Sequence, residues 1–361
     1  MTNYLLAGGG TAGHVNPLLA VADALRARDP ESKIFVLGTK EGLEARLVPA
    51  RGYELLTIPK LPFPRRPNAQ VLTFLPRLRE TVTSVRRILA EHGIDAVAGF
   101  GGYAAAPAYL AARGRVPIVV HEANALPGMA NKLGARWAKR VGVAFDGTPL
   151  RGAVTVGMPL RAEIEHLDRA AKRSEAVEFF GLDPARRTLL VTGGSLGARR
   201  VNETVRAVVP ALIAEGWQVL HLVGGLSKFE HDELDGYHVL EYCDRMDLAF
   251  AAADLVVARA GASTVSELGV VGLPAVYVPY PAATGDHQTI NIRSVLAAGG
   301  ALRVTDADFS PEWASRELLA LARDEERRAR MEAATLASAQ RDGAARVVTL
   351  LDEALRSPQE R

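Results

Sequence analysis

The sequence has almost no cysteine and almost no excess of charge. Cys243 stands alone in 361 residues, so no internal disulfide can form, and such usage is typical of a reducing compartment. The 43 basic and 41 acidic side chains leave a net charge of +2, which is no argument for nucleic-acid binding. The first residues also lack the basic region and long apolar core of a secretory signal. We expect a cytoplasmic protein that binds no nucleic acid.

Long hydrophobic runs are missing as well. Two stretches carry no charge, residues 96–112 and 268–285. The first is rich in glycine and alanine and contains Pro107, and the second is interrupted by Pro274, Pro279 and Pro281. Because a membrane-spanning helix needs about 20 strongly apolar residues in a row, the sequence predicts no span.

Acidic residues are scarce in one segment, residues 60–90, where Glu80 is the single acid. Its basic residues are Lys60, Arg65, Arg66, Arg77, Arg79, Arg86 and Arg87, and its interleaved apolar residues are Leu61, Phe63, Val71, Leu72, Phe74 and Leu75. One interpretation is a solvated helix face after a proline-rich loop. The other is a surface that lies on anionic lipid, which combines basic groups with exposed apolar ones.

Alternating strands and helices run through the whole chain. This order predicts an α/β protein with doubly wound parallel sheets, both faces of which are covered by helices. Gly157–Arg161 ends the first set of strands, so we expect one domain over residues 1–161 and a second over 165–340. A last helix, within about 343–361, could pack on either domain.

Two glycine-rich turns of the same kind lie about half a chain apart. Gly8–His14 and Gly193–Arg199 each follow a short apolar strand and open a helix. Backbone N–H groups at the positive end of a helix favour an anion. The pair predicts two similar Rossmann-like domains that face one another across a cleft.

The first turn formally matches the dinucleotide-binding pattern, with glycines at positions 8, 10 and 13. That function requires an acid at the end of the second strand to hold the ribose. Here the strand Ile34–Leu37 is followed by Gly38 and Thr39, so the acid is missing. The sequence therefore argues against a nicotinamide enzyme.

The second turn also matches the nucleophile elbow of serine hydrolases, and Asp254 and His287 follow Ser195 in the order that a catalytic triad needs. An elbow normally lies deep in one continuous sheet, whereas this turn closes the first strand of the second domain. No His-Gly-Gly oxyanion segment precedes it. We favour a phosphate site, because backbone amides and the Ser195 hydroxyl all donate to oxyanions.

A third turn spans residues 258–267. Thr264 and Glu267 have the spacing of a capping box, in which Glu267 closes the start of a helix. The alternative is that Glu267 accepts hydrogen bonds from a ribose diol, with Arg259 as a cation beside it. We favour the diol because the neighbouring glycine turn already indicates a nucleotide.

Further polar side chains follow strands elsewhere. Gln288 and Asn291 are three residues apart, share a helix face and could bind sugar hydroxyls. In the first domain, His121, Glu122 and Asn124 follow one strand and Gly99–Tyr103 follows another, again where ligands gather in such sheets. Asp306 and Asp308 read as a turn or a cap, and no histidine or cysteine spacing indicates zinc.

Together these segments resemble one family, the bacterial cell-wall enzymes that transfer N-acetylglucosamine from UDP-GlcNAc to a lipid-linked muramyl-pentapeptide. The matching stretches cover the chain from residue 8 to about 291 in family order: Gly8–His14, Gly99–Tyr103, His121–Asn124, Gly157–Arg161, Gly193–Arg199, Arg259–Glu267 and Asp286–Asn291. The resemblance implies the GT-B architecture, with the acceptor in the N-terminal domain and UDP-GlcNAc in the C-terminal one. It also implies inverting chemistry without metal or cofactor, a last helix that returns to the first domain, and an enzyme on the cytoplasmic face of the membrane.

The resemblance assigns residue roles as expectations. The donor site would consist of Arg161 and Ser195 at the diphosphate with Arg259 nearby, the backbone around Met246 at the uracil, Ala262, Ser263 and Thr264 lining the site, Glu267 at the ribose, and Gln288 with Asn291 at the sugar. Ser263 stands where some relatives have leucine. The acceptor side would consist of Thr11, Gly13, His14, Tyr103, His121, Glu122 and Asn124. His14 is the candidate base that deprotonates the acceptor's C4 hydroxyl, and Glu122 is the alternative. An epimerase or hydrolase acting on UDP-GlcNAc, or another GT-B glycosyltransferase, would use the same fold.

Overall fold

The computed structural model describes residues 1–61, 70–227, 229–231 and 233–356, with the backbone alone over 70–73. The chain forms two compact units. The first comprises Met1–Arg161 together with Arg341–Arg361, and the second comprises Ala162–Gln340.

Within these ranges the first unit is built on a parallel sheet of seven strands, in the order β3-β2-β1-β4-β5-β6-β7. The strands are β1 (Asn3–Ala7), β2 (Lys33–Gly38), β3 (Glu54–Thr57), β4 (Ala96–Gly99), β5 (Ile118–Glu122), β6 (Arg140–Val143) and β7 (Ala153–Thr155). The chain winds outward from β1 in one direction and from β4 in the other. The crevice between these two strands is where open α/β sheets bind their ligands.

Helices cover both faces of this sheet. They are α1 (Ala12–Arg28), α2 (Glu44–Ala50), α3 (Gln70–Glu91), α4 (Gly102–Ala112) and α5 (Met129–Gly134), and the last helix of the chain (Gly343–Leu355) also packs here. On one face, Leu18 of α1 and Leu351 of the last helix join the core with Leu6 of β1. On the other, Val85 of α3 and Tyr109 of α4 pack with Leu5. Alternate residues of β1 thus enter opposite cores, as the twofold period of a strand requires.

The second unit has a parallel sheet of six strands over the described residues, in the order β10-β9-β8-β11-β12-β13. The strands are β8 (Arg187–Thr192), β9 (Trp217–Leu222), β10 (Tyr237–Leu240), β11 (Leu255–Ala258), β12 (Ala275–Tyr277) and β13 (Ala301–Arg303). The winding direction changes between β8 and β11. By the same rule, ligands are expected at the carboxyl ends of these two strands.

The helices of the second unit follow the same alternation. They are α6 (Ala162–Glu165), α7 (Arg169–Phe180), α8 (Arg199–Ala214), α9 (Met246–Ala252), α10 (Ala262–Val271), α11 (His287–Asn291), α12 (Arg293–Ala297), α13 (Pro311–Trp313), α14 (Leu319–Arg323) and α15 (Glu325–Ser338), and the last helix of the chain is then α16 (Gly343–Leu355). A short 3₁₀ segment, Thr284–Asp286, precedes α11, and a π segment, Ala314–Leu318, precedes α14. The main core lies between α8 and the sheet, where Val205 packs with Leu189 and Val257.

The sequence predicts strands near 3–7, 33–37, 95–98, 117–120, 141–145, 153–156, 188–192, 218–223, 238–241, 255–258, 275–278 and 301–304, and each lies within two residues of an observed strand. It misses β3 and predicts no separate helix at α2, α4, α5 or α9. With seven and six residues, α2 and α5 are too short for a helical period to show. The sequence also predicts one helix over 311–340 where the structure has several. The break comes at Asp324, whose carboxylate accepts a hydrogen bond from the Arg327 amide and caps a new helix.

Candidate functional site

A cleft of about 810 Å³ opens at the carboxyl edge of the second sheet. The register pairs Thr192 of β8 with Ala258 of β11, and Ala258 with Tyr277 of β12, so the loops after these strands emerge side by side. The cleft is lined by residues of those loops and of two helix starts: Gly193, Gly194, Ser195, Leu196, Gly197, Ala198, Arg199, Arg200, Glu203, Arg259, Tyr280, Pro281, Gln288 and Asp306. Three of the expected donor-site residues, Ser195, Arg259 and Gln288, therefore share one cavity, whereas Arg161, Met246, Ala262, Ser263, Thr264, Glu267 and Asn291 are not in its lining.

The Ser195 turn forms one wall and requires glycine at two positions. A Cβ on Gly193 would lie 2.4 Å from the Ala198 nitrogen, and one on Gly197, where φ is +85°, would lie 2.2 Å from the Val223 carbonyl oxygen. The Gly197 amide donates to the Gly194 carbonyl at 2.9 Å. This tight turn leaves Ser195 exposed just before α8 begins, at the positive end of a 16-residue helix.

A buried polar network holds this turn from behind. The Ser195 carbonyl accepts from the Gly225 amide at 3.1 Å. The Asn202 amide group donates to the Val223 carbonyl and to Ser227 Oγ at 2.9 and 3.0 Å, and the Asn202 oxygen lies 3.2 Å from Nε2 of buried His221. Loop 223–227 is thereby fixed against the turn.

Arg259 provides a cation at the opposite wall. Its Nη1 lies 2.6 Å from Asp306 and donates to the carbonyls of Val278 and Pro279 at 3.1 and 3.2 Å. The guanidinium also lies over the Tyr280 ring, 5.6 Å from its centroid. With a side chain only 12% exposed, Arg259 is held in one place rather than left mobile. No motif predicted the pairing of Arg259 with Asp306, which lies 47 residues further on.

The start of α10 tests one of the two interpretations of Glu267, the capping box. Gly261 is the N-cap and Ala262 the first helical residue, so Thr264 lies inside the first turn rather than at the cap. A capping box needs the glutamate three residues after the cap, whereas Glu267 is six residues after Gly261. The capping-box alternative is therefore wrong. Ser263, Thr264 and Glu267 are all half-buried, and Ala262 is buried.

The remaining expected donor residues lie near helix starts. The Gln288 oxygen accepts from the Tyr280 amide at 2.8 Å, which leaves the Gln288 amino group as a donor for a ligand. Asn291 is buried and donates to the Ala260 carbonyl at 3.2 Å, so it supports the loop before α10. Met246 is half-buried at the first position of α9. Arg161 is half-buried at the end of the first unit.

The positions of Asp254 and Ser195 exclude the serine-hydrolase alternative. The Asp254 carboxylate accepts from the Thr188 amide at 2.7 Å and pairs with Arg173 at 2.9 Å. Asp254 thus sits at the amino end of the sheet, whereas Ser195 follows the carboxyl end of β8, which is six residues long. At about 3.3 Å per residue the two side chains lie on opposite edges.

In the first unit, the loops after β1, β4 and β5 meet at one edge. Gly99 pairs with Ala7 and with Val120, and the Phe100 amide donates to the Ala7 carbonyl at 2.8 Å. This brings the Gly8–His14 turn next to Gly99–Tyr103. Tyr103 lies 3.6 Å from the Cβ position of Gly10, and its ring is 5.1 Å from the Lys60 ammonium group.

His14 has one ring nitrogen held and one available. Its Nδ1 lies 3.1 Å from the Gly9 carbonyl oxygen and 3.2 Å from Thr11 Oγ1. A carbonyl can only accept, so Nδ1 carries the proton and Nε2 carries the lone pair. Burial lowers the pKa of His14 below 6.5, although Glu122, the Gly9 hydrogen bond and Glu44 act in the opposite direction. The imidazole is therefore neutral at neutral pH and able to accept a proton.

Glu122 is fully engaged with its own loop. Only 3% exposed, it accepts from the amides of Asn124 and Gly128 at 2.9 Å and from the Asn131 side chain at 3.0 Å. These bonds occupy both carboxylate oxygens, so Glu122 shapes the loop after β5 in which Asn124 lies half-buried.

His121 is likewise interior. It is 1% exposed, and its Nε2 donates to the Gly157 carbonyl at 3.0 Å. Burial lowers the pKa of His121 to about 4, so the ring stays neutral. The residues nearer the surface at this edge are Thr11, which is exposed, and Gly13 and Tyr103, which are half-exposed.

The basic segment is only partly described. Phe63, Arg65 and Arg66 lie outside the described residues, as do the side chains of Val71 and Leu72. In the part that is described, Lys60, Arg77, Arg79, Arg86 and Arg87 are exposed, and Leu75 is 54% exposed. No helix among the described residues is long and apolar enough to cross a membrane, and no metal-binding cluster of three or more His, Cys, Asp or Glu occurs among them.

Comparison with known proteins agrees with this architecture. Two family models match the chain: the N-terminal domain of glycosyltransferase family 28 over residues 4–143, and the C-terminal domain of the same family over residues 188–347. The UDP-N-acetylglucosamine--N-acetylmuramyl-(pentapeptide) pyrophosphoryl-undecaprenol N-acetylglucosamine transferase of Clavibacter sepedonicus is 60% identical over 359 residues, 99% of this chain and 98% of the relative.

Solved structures are similar over the whole length. The crystal structure of Acinetobacter baumannii MurG superposes with a TM-score of 0.79 at 29% identity, covering 98% of this chain and 100% of that one. The UDP-GlcNAc 2-epimerase of Neisseria meningitidis superposes with a TM-score of 0.69 over 98% of this chain and 100% of that one, but at 12% identity it shares the fold alone.

The two Rossmann-like parallel sheets and these matches define the class: the fold is GT-B, and the protein is a glycosyltransferase. More specifically, the chain belongs to glycosyltransferase family 28.

Proposed function

We propose that this chain transfers N-acetylglucosamine from UDP-GlcNAc to the lipid-linked muramyl-pentapeptide acceptor, lipid I, and so forms lipid II for peptidoglycan. The observation that carries this proposal is the 60% identity to a transferase of that name over nearly the full length of both chains. Fold likeness alone would not be enough, because epimerases share it.

We place UDP-GlcNAc in the cleft of the second unit. The exposed Ser195 turn offers amides and a hydroxyl to the diphosphate, and Arg259 offers a held positive charge. The half-buried Glu267 carboxylate is proposed to accept from the ribose diol, and the Gln288 amino group to donate to the sugar. The backbone around Met246 is proposed to hold uracil, with Ala262, Ser263 and Thr264 lining the site and Arg161 at the diphosphate.

The acceptor is placed on the first unit, at the edge where the glycine turn, Tyr103 and Asn124 lie. We propose His14 rather than Glu122 as the general base. The free Nε2 lone pair of a neutral imidazole can take a proton, whereas the Glu122 oxygens already accept from Asn124, Gly128 and Asn131.

The reaction is a single in-line displacement with inversion. His14 Nε2 takes the proton of the acceptor C4 hydroxyl, O4 forms a bond to the anomeric carbon, and the bond from that carbon to the UDP oxygen breaks. The electron pair of this bond leaves on the diphosphate. Preorganised donors, the Ser195 turn, the start of α10 and Arg259, stabilise the developing charge without a metal ion.

The decisive experiment combines radiolabelled UDP-GlcNAc with a lipid I analogue in detergent or vesicles. We expect labelled disaccharide product whose formation depends on acceptor. The epimerase or hydrolase alternative, which the family assignment does not favour, predicts consumption of UDP-GlcNAc without acceptor. Turnover of donor alone, with no disaccharide from a folded sample, would refute the transferase.

We also propose that the enzyme works at the cytoplasmic face of the membrane, bound peripherally to anionic lipid. The support is the exposed basic and apolar surface of α3, with Arg77, Arg79 and Leu75. Arg77→Gln/Arg79→Gln should weaken sedimentation with phosphatidylglycerol vesicles, and binding of the unaltered protein should fall as salt rises. The matched control is Arg316→Gln/Arg330→Gln, a pair of exposed arginines in the second unit. Equal binding by both variants, or binding insensitive to salt, would remove this proposal.

A further inference from the structure

One peptide group in the first glycine turn is hydrogen-bonded at both ends. The Gly9 carbonyl accepts from His14 Nδ1–H at 3.1 Å. The N–H of the same peptide, which belongs to Gly10, donates to Glu44 Oε2 at 2.9 Å. A carboxylate and an imidazole are thus joined through a single peptide unit.

The Glu44 carboxylate is held tightly in this position. It is 1% exposed, and its other oxygen accepts from the amide and the hydroxyl of Thr39 at 2.9 and 2.8 Å. Three surrounding glycines make room for it. A Cβ on Gly9, Gly38 or Gly42 would lie 2.4, 2.5 or 2.0 Å from a Glu44 side-chain atom.

The carbonyl end of the peptide is equally enclosed. A Cβ on Gly102, where φ is +77°, would lie 2.1 Å from the Gly9 oxygen, so the start of α4 packs directly on it. On the far side of the ring, the Cβ position of Gly101 is 3.1 Å from His14 Nε2. In surroundings that exclude water, hydrogen bonds in series polarise one another and strengthen.

Glu44 carries its charge at neutral pH. Burial would raise the pKa of Glu44, but hydrogen bonds from Gly10, from its own amide and from Thr39 together hold that pKa below 4.5. The charged groups that act on the His14 ring are then Glu122 from the end of β5 and Glu44 from α2, while Lys60 lies further out over Tyr103. Both carboxylates favour the protonated ring.

We propose that Glu44 is the positioning residue for His14, acting through the Gly9–Gly10 peptide as the third member of a carboxylate–peptide–histidine relay. In serine hydrolases a carboxylate bonded directly to the imidazole fixes its tautomer and stabilises the imidazolium. Here the carboxylate polarises the peptide N–H, the peptide carbonyl becomes a stronger acceptor, and Nδ1–H is held so that Nε2 receives the proton. The proposal rests on His14 being the base of the proposed transfer.

The test is Glu44→Gln, with Glu41→Gln as matched control because Glu41 is exposed in the loop that precedes α2. Glutamine has one oxygen and one amino group, so it cannot accept at both Gly10 and Thr39. We expect kcat for disaccharide formation to fall roughly 10-fold to 100-fold in Glu44→Gln. KM for UDP-GlcNAc should not change, since the donor cleft is in the second unit.

The pH profile separates this role from a merely structural one. Activity needs neutral His14, so it is lost as pH falls through the pKa of His14. Removal of the Glu44 charge lowers that pKa, and the acidic limb of kcat/KM should move to lower pH. The same shift should appear in an NMR titration of the His14 ring proton, which requires no turnover. A loss of activity with the acidic limb and the titration unmoved would overturn the relay.

Thr39→Val provides the second variant if Glu44→Gln does not fold. It keeps the carboxylate and removes one of its donors, and we expect a fall in kcat of about 3-fold to 10-fold. Unchanged kcat in Thr39→Val, in the absence of a folded Glu44→Gln, also refutes the relay. If the unaltered protein transfers no sugar, the proposed function fails. If it does and the Glu44 and Thr39 variants equal it, the relay alone fails.

Discussion

At the scale of single residues, the choice of general base depends on which polar atoms already have hydrogen-bond partners within the protein. From sequence position alone, His14 and Glu122 are equally good candidates for the general base, because both are expected just after strands at the ligand-facing edge. The hydrogen bonds distinguish the two residues. Both carboxylate oxygens of Glu122 already accept hydrogen bonds from its own loop, whereas His14 is held through Nδ1 and its Nε2 lone pair is available. A general base needs a free lone pair before it needs a suitable pKa.

His14→Gln tests this assignment. We expect kcat to fall by about 10²-fold to 10⁴-fold, because glutamine cannot take the proton. The acidic limb of the unaltered enzyme should have its midpoint below pH 6.5, since burial lowers the pKa of His14, and the variant should lack that limb. His166→Gln, an exposed histidine of the second unit, is the control. Near-normal turnover in His14→Gln would refute His14 as the general base.

The sequence anticipated the glycine turns and His14 but not Glu44. In dinucleotide enzymes the ribose-binding carboxylate stands at the end of the second strand, where this chain has Gly38 and Thr39. Glu44 is the first residue of α2, and its carboxylate lies beside Thr39 at the end of β2. The helix α2 is too short to be predicted from a helical period. The hydrogen bonds of Glu44 to Gly10 and Thr39 depend on loop geometry that no sequence spacing encodes.

At the scale of elements, helix starts carry most of the proposed donor site. Strand and helix positions followed from hydrophobic period and glycine turns, so β8 and α8 were predictable. The cap of α10 could not be predicted, because both glycine and threonine are common N-cap residues. Only the structure shows that Gly261, rather than Thr264, is the N-cap. That choice of cap excludes the capping-box role of Glu267.

Glu267→Gln should weaken UDP binding about tenfold, because a charge-assisted hydrogen bond to the ribose diol is replaced by a neutral one. Calorimetry with UDP measures this directly. Glu326→Gln, exposed on α15, is the control for loss of one charge. A lower melting temperature with unchanged UDP affinity would instead make Glu267 a structural residue.

At the scale of the whole molecule, the chain returns to its first unit after completing the second. α16 buries Val347, Leu350 and Leu351 against α1 and the first sheet. The residues of the last helix did not by themselves say which domain it would cover, and the family resemblance implied its return to the first. Amphipathicity specifies that a helix must be covered and leaves the partner open.

Leu351→Ala tests whether α16 stabilises the first unit alone. Leu351 is fully buried, so its truncation should cost the first unit about 2–5 kcal/mol. Hydrogen exchange should rise in α1 and β1 and stay unchanged in α8 and β8, and UDP binding should persist. The exposed Leu75→Ala serves as control. Uniform loss of protection in both units would show that they unfold together.

The return of α16 also sets an order of events during synthesis. Residues 162–340 are contiguous, so every residue of the second unit is made before α16. Most of the first unit is made earlier, yet the part of its core that α16 covers, beside α1, stays exposed until α16 is made. The part of the chain made first is therefore the part finished last, and the nascent protein exposes an apolar surface for which a chaperone or the membrane can compete.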